Sequence, residues 1–139
     1  MVSVILLGAG NVASHLFEAF YNAENISVTQ WYNRSLKKLS SYKNKVEITD
    51  DLKNLKAANI YILAVSDDAI AELSKQLPLK DQFVVHTSGS VNVYDLDKKH
   101  KRGVFYPLQT FSKDTSMDFA NVPICIETIN KSDYHILKE

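Results

Sequence analysis

The most constraining stretch of the sequence is its beginning. VSVILL runs into Gly8-Ala9-Gly10-Asn11-Val12-Ala13, and a helical pattern follows at once. Val2–Leu7 reads as a buried strand. Asn11–Tyr21 reads as a helix, because Val12, Leu16 and Phe20 recur at i, i+4 and i+8, with Ala13 and Phe17 beside them. The turn between them fits G-x-G-x-x-[G/A]: the first glycine permits a tight turn, the second lets backbone approach a pyrophosphate, and the small third residue lets helix and strand pack closely. The helix N-terminus then offers free N–H groups and a partial positive charge to an anion. In this strand-turn-helix context the turn points to a dinucleotide, its pyrophosphate held by Gly8, Gly10, Asn11 and Val12. A turn that merely joins strand to helix is the alternative.

The same alternation continues. Strands are predicted at Ile26–Tyr32, Val46–Ile48, Asn59–Val65, Gln82–His86, Gly103–Tyr106 and Pro123–Glu127. Helices are predicted at Leu36–Tyr42 with Ser35 as N-cap, from Asp50 or Asp51 to near Lys56, from Asp67 or Asp68 to Pro78, and at Val93–Lys99. The pattern is that of βαβ units, so residues 1–139 form one doubly wound α/β domain, a mostly parallel Rossmann sheet in a three-layer α/β/α arrangement. The ending SDYHILKE reads as the opening turns of a helix with no cap after it, and the natural protein is expected to continue.

Composition narrows the partners. The 16 basic and 16 acidic residues cancel, which removes the basic excess of a nucleic-acid binder. No apolar run approaches the roughly 18 residues that span a bilayer. Met1 leads directly into a strand, so the reading is of a cytoplasmic chain without a membrane partner. Cys125, the single cysteine, lies in the apolar run PICIE and reads as a buried reduced thiol. No His/Cys/Asp/Glu cluster has metal-ligand spacing.

The end of the second strand selects among dinucleotides. An NAD site usually carries Asp or Glu there, for the ribose 2′-hydroxyl. This chain has Trp31-Tyr32-Asn33-Arg34-Ser35 instead. Without a carboxylate to repel it, a 2′-phosphate finds a guanidinium, a hydroxyl and a helix N-terminus in Asn33, Arg34 and Ser35. The cofactor is therefore expected to be NADP rather than NAD. A polar turn that caps a helix is the plainer reading.

With these motifs placed, NRS, ILAVSDDAI, VVHTSGS and GVFYPLQTFS give the chain its resemblance to the cofactor domain of the 6-phosphogluconate-dehydrogenase-like oxidoreductases. That group includes pyrroline-5-carboxylate reductase, the 3-hydroxyacid dehydrogenases, prephenate dehydrogenase and the deazaflavin-dependent NADP oxidoreductases. The chain is most similar to a bacterial subfamily that adds a C-terminal helical domain of unknown function. The resemblance implies that Ala64, Val65 and Ser66 lie against the adenosine ribose and nicotinamide side. It implies that Ser88 and Gly89 occupy a substrate-binding Ser-Gly-Gly position, although Ser90 replaces the last glycine. Tyr106-Pro107-Leu108 matches a His-Pro-Leu or His-Pro-Met segment, with Tyr106 in place of the histidine, and Gln109 follows it toward the substrate. A catalytic lysine of the hydroxyacid dehydrogenases belongs to the helical domain. The resemblance also implies a homodimer for the full-length protein.

Other candidates are His86, which ends a strand at the ligand-binding edge and suits a general acid/base, and Tyr106 as a proton donor. Thr87, Ser88 and Ser90 suit a carboxylate or a nicotinamide amide. His15, His100 and His135 lie among polar residues and are expected in solvent. Lys37-Lys38 is placed to assist a 2′-phosphate, and 98–102 reads as a solvated helix end. The expected function is the cofactor domain of an NADP-dependent oxidoreductase acting on a small hydroxy acid, imino acid or carbonyl compound, the isolated chain binding cofactor with little turnover. A non-catalytic NADP-binding or redox-sensing module is the rival. An S-adenosylmethionine methyltransferase would want an acidic residue where Asn33-Arg34 stands.

Overall fold

In the computed structural model the described residues are 2–22, 26–78, 82–88, 91–92, 95–97, 100–107 and 124–128. They form strands β1 (Val2–Leu7), β2 (Ile26–Tyr32), β3 (Glu47–Thr49), β4 (Ile60–Leu63), β5 (Phe83–His86), β6 (Lys101–Pro107) and β7 (Ile124–Thr128), with helices α1 (Asn11–Tyr21) and α2 (Asp67–Gln76). The strands make one sheet in the order β3-β2-β1-β4-β5-β6-β7. Pairing is parallel from β3 through β6, and β7 returns antiparallel to β6. Because β1 lies between β2 and β4, the strand order reverses between β1 and β4. That reversal opens the crevice in which doubly wound folds hold ligands.

The central strands are apolar without alternation because both faces are covered. One core lies on the α1 side and includes Leu6, Leu16, Phe17, Trp31, Leu39 and Val85. The opposite core includes Ile5, Leu7, Tyr61, Leu63, Ile70 and Leu77, so neighbouring β1 residues go to opposite faces. The first core carries an aromatic cluster in which Trp31 stacks on Phe17, with centroids 4.6 Å apart, and meets Tyr42 at 4.7 Å. A register shift at Val4/Ile5 interrupts the β1–β2 pairing. Gln30, fully buried in β2, bonds Glu47 and the Asn54 carbonyl and accepts the Lys56 N–H, tying β3 and the segment after it to the sheet.

Several local expectations are corrected. Leu36–Tyr42 and Leu52–Asn54 are 3-10 turns, not α-helices. The Ser35 side chain makes no capping bond, whereas Asp51 accepts the Lys53 N–H as expected. Ser66, not Asp67 or Asp68, is the N-cap of α2, and both aspartates lie in the first turn, where the helix dipole favours them. Around the helix expected at Val93–Lys99, Asp95 N–H donates to Asn92 and His100 N–H to Asp97, both three residues back. Residues 93, 94, 98 and 99 of that span lie outside the described residues. His100 is buried rather than solvated, its Nε2 2.7 Å from the Ser74 carbonyl, and Lys101 and Arg102 open β6 rather than end a helix. His15 is buried too. His135 and the expected helix at the chain's end lie outside the described residues, as does the side chain of Cys125.

Candidate functional site

The loops after β1, β2, β4 and β5 leave the same edge of the parallel sheet and border one cleft of about 940 Å³. Gly8, Ala9, Gly10 and Val12 line it from the glycine turn, and Tyr32, Asn33, Arg34 and Lys38 from the end of β2. Ala64, Val65 and Ser66 follow β4, and Thr87 and Ser88 follow β5. Residues far apart in sequence thus line one cleft.

The two glycines have different physical causes. Gly8 has φ +112°, and a Cβ there would overlap the Ala64 carbonyl. Its N–H donates to Tyr32 at 2.8 Å, and its carbonyl accepts the Trp31 indole N–H at 2.5 Å. The folded chain itself therefore demands glycine at position 8. Gly10 has extended backbone, φ −82° and ψ −165°, and a Cβ there would meet nothing within 4 Å. The described residues impose no steric need for glycine there, and the space in front of it is open. Gly10 is also the N-cap of α1, whose first turn carries no acidic side chain. The first-turn N–H groups, beginning with Asn11, lack intrahelical acceptors by helix geometry and suit an anion. A pyrophosphate fits this cradle.

At the end of β2 the Asn33 N–H donates to Thr49 and its side chain to the Ser35 carbonyl at 3.0 Å, which shapes the turn that carries Arg34. Arg34 and Lys38 are exposed and line the cleft. Lys37 and Ser35, also exposed, are not among its lining residues. Burial pushes the Tyr32 phenol up from its ordinary value; Arg34 opposes the shift, while Asp50 and Asp51 add to it. Tyr32 is thus a neutral hydroxyl beside a cation.

Sequence reasoning missed the far wall, made by Asp68, Ala69, Glu72, Leu73 and Gln76 of α2. The signal was available, because 68, 72 and 76 recur at i, i+4 and i+8 and present one polar edge.

At the other end, His86 is fully buried and is not among the described residues lining the cleft. Its Nδ1 accepts the Ser88 N–H at 3.1 Å. Burial pushes its imidazole below its ordinary value, against smaller opposing contributions from the Asn92 and Val91 backbone and the Asp67 and Asp95 carboxylates. Tyr106 lies in β6, beside Cys125 of β7; its side chain, like Gly89, Ser90 and Gln109, lies outside the described residues. Among the described residues no group of three or more His, Cys, Asp or Glu is placed to hold a metal ion, and no helix is long and apolar enough to cross a membrane.

Comparison with known proteins agrees with this geometry. Residues 3–89 match the family described as "NADP oxidoreductase coenzyme F420-dependent". A proposed NADP oxidoreductase of Bacteroides fragilis is 33% identical over 99% of this chain and 55% of its own, with a TM-score of 0.85. Prephenate dehydrogenase from Aquifex aeolicus (16% identity, 99% and 57% of the two chains, TM-score 0.78) and an imine reductase from a Pseudomonas species (17%, 99% and 50%, TM-score 0.76) share the fold. The chain spans about half the length of these structures. No curated protein sequence matches it. On the match over residues 3–89 and the identity along nearly its whole length, the chain belongs to this NADP oxidoreductase family, as an NADP-binding, oxidoreductase-like Rossmann domain.

Proposed function

We propose that this chain is the cofactor domain of an NADP-dependent oxidoreductase acting on a small hydroxy acid, imino acid or carbonyl compound. The observation that carries the proposal is the single cleft lined by the glycine turn, by Arg34 and Lys38, by Ala64–Ser66 and by Thr87–Ser88. NADP, when bound, supplies or accepts the hydride.

The roles of the residues follow from their chemistry. Gly8 holds the turn, while Gly10 leaves room for the pyrophosphate, and the backbone N–H groups of Asn11 and Val12 face it. Arg34 and Lys38 give two cations for a 2′-phosphate, with Asn33 shaping the turn and Ser35 beside them. Ala64, Val65 and Ser66 lie against the adenosine ribose and the nicotinamide side. Thr87 and Ser88 offer hydroxyls toward the substrate end, joined by Gly89, Ser90, Gln109 and Tyr106 from the segments beyond. A C-terminal helical domain is proposed to complete that end and to form the homodimer, which is in keeping with matched structures that are nearly twice as long.

Calorimetric titration of the chain with NADPH and NADH, repeated on Arg34→Ala, tests the reading. Loss of one charge-assisted phosphate bond should weaken NADPH binding by about 1.5–3 kcal/mol, roughly ten- to a hundredfold, and leave NADH unchanged. Equal affinities for the two nucleotides in the unaltered protein would refute the 2′-phosphate assignment.

A further inference from the structure

His86 has a role in the same site that its burial disguises. The ring closes β5 with none of its surface exposed, so it does not itself face the cleft. Its Nδ1 accepts the N–H of Ser88 at 3.1 Å, closing a tight turn between side chain i and backbone i+2 as the chain leaves the sheet. A nitrogen that accepts from N–H must keep its lone pair, so the ring proton resides on Nε2, which is buried without a hydrogen-bond partner. The two residues the turn fixes, Thr87 and Ser88, are the ones that line the cleft at this end.

We propose that His86 is a positioning residue that sets the substrate-side wall of the cleft, its Nδ1 holding the Thr87–Ser88 turn where the nicotinamide half of NADP is received. The inference rests on the NADP reading above and adds the part of the ligand that depends on this turn. Protonation at Nδ1 would turn the acceptor into a donor facing another donor, and the bond to Ser88 would be lost. Against burial, the Asn92 and Val91 backbone and two carboxylates act on the ring, Asp67 in the first turn of α2 and Asp95 in the segment before β6. All favour the charged form, and burial outweighs them.

The test titrates NADP+ and adenosine 2′,5′-bisphosphate, which lacks the nicotinamide half, into the unaltered chain, His86→Leu and His86→Asn. The asparagine Oδ1 stands near the position of Nδ1 and accepts without titrating. His86→Leu is expected to weaken NADP+ about three- to tenfold, the worth of one hydrogen bond, while leaving the bisphosphate unchanged. His86→Asn is expected to restore NADP+ binding. The ratio of the two affinities should fall in the unaltered chain as the pH drops through the folded-state value of His86, which burial holds below the ordinary one, and stay level in His86→Asn, in which phosphate titrations affect the ligands as before. Should His86→Leu fail to fold, this difference in pH profile between the unaltered chain and His86→Asn still decides.

Parallel losses for both ligands, or matching pH profiles in the two folded proteins, would overturn the positioning role while leaving NADP binding intact. Failure of the unaltered chain to bind either ligand would instead overturn the NADP reading itself, and the inference with it.

Discussion

Replacing each glycine of the turn by alanine separates what the fold requires from what the ligand requires. At Gly8 the new Cβ would overlap the backbone carbonyl of Ala64, which no rotamer change relieves, and φ +112° is a conformation L-residues rarely adopt. Backbone strain of this kind costs about 1–3 kcal/mol. Any shift that relieves it loosens the bonds Gly8 makes to Tyr32 at 2.8 Å and to the Trp31 indole at 2.5 Å, each worth about 0.5–1.5 kcal/mol. The loss for Gly8→Ala is therefore about 2–6 kcal/mol, a large part of the roughly 5–15 kcal/mol that holds a domain together. At Gly10 the backbone is already extended and an added Cβ meets no atom within 4 Å. The cost there is the weaker N-cap preference of alanine, about 1 kcal/mol or less. Urea unfolding followed by circular dichroism and by the fluorescence of Trp31, the single tryptophan, reads both. The Gly8→Ala midpoint should fall by roughly 1–3 M. Gly10→Ala should unfold almost as the parent does, yet lose tenfold or more in NADPH affinity, because its methyl group stands where the pyrophosphate is proposed to lie. A Gly10→Ala chain that binds NADPH like the parent, or a Gly8→Ala chain with an unchanged midpoint, would refute the division of roles.

Other perturbations follow from single contacts. Trp31→Phe keeps a ring against Phe17 but strips the buried Gly8 carbonyl of its indole donor, and should cost about 1–3 kcal/mol in a urea titration followed by circular dichroism. Asp51→Ala removes the acceptor for the Lys53 N–H and should cost about 1 kcal/mol on the same measurement. Lys56→Met breaks an ion pair with Glu47 whose partners are 63% and 46% exposed, so a change above about 1 kcal/mol would contradict the geometry. For pH, His86 has a folded-state value held below the ordinary one by burial, so the unfolded chain takes up a proton first as acid is added. Its contribution to stability is complete above about pH 6.5 and is lost as the pH falls from there toward the folded-state value. Urea midpoints between pH 8 and 5.5 should therefore drop less in His86→Asn than in the parent.

The features legible in the sequence were those fixed by local periodicity. The bounds of β1, α1 and β2 follow from apolar runs and a 3.6-residue repeat that no distant contact has to correct. Departures begin where tertiary contacts decide. Asn59 was expected to open a strand, but its side chain accepts from the Ser3 N–H and hydroxyl, and regular pairing starts one residue later. His100, in a run of charges, appeared solvated. Its burial depends on Ser74 of α2, whose carbonyl lies at its ring and whose hydroxyl accepts the Asp97 N–H, a meeting that the sequence spacing does not encode. The site divides along the same line. Motif spacing singled out Gly8, Gly10 and Arg34, because strand-turn-helix geometry puts them at one sheet edge. The α2 wall and the buried acceptor of His86 emerge only once α2 and the turn after β5 are set against that edge.

The glycine motif states the general point most sharply. The fold requires Gly8, whose added Cβ would overlap the Ala64 carbonyl, whereas Gly10, the N-cap of α1, meets no steric demand from the described residues. Unfolding of Gly8→Ala therefore bears on the fold, and NADPH titration of Gly10→Ala bears on the proposed pyrophosphate site.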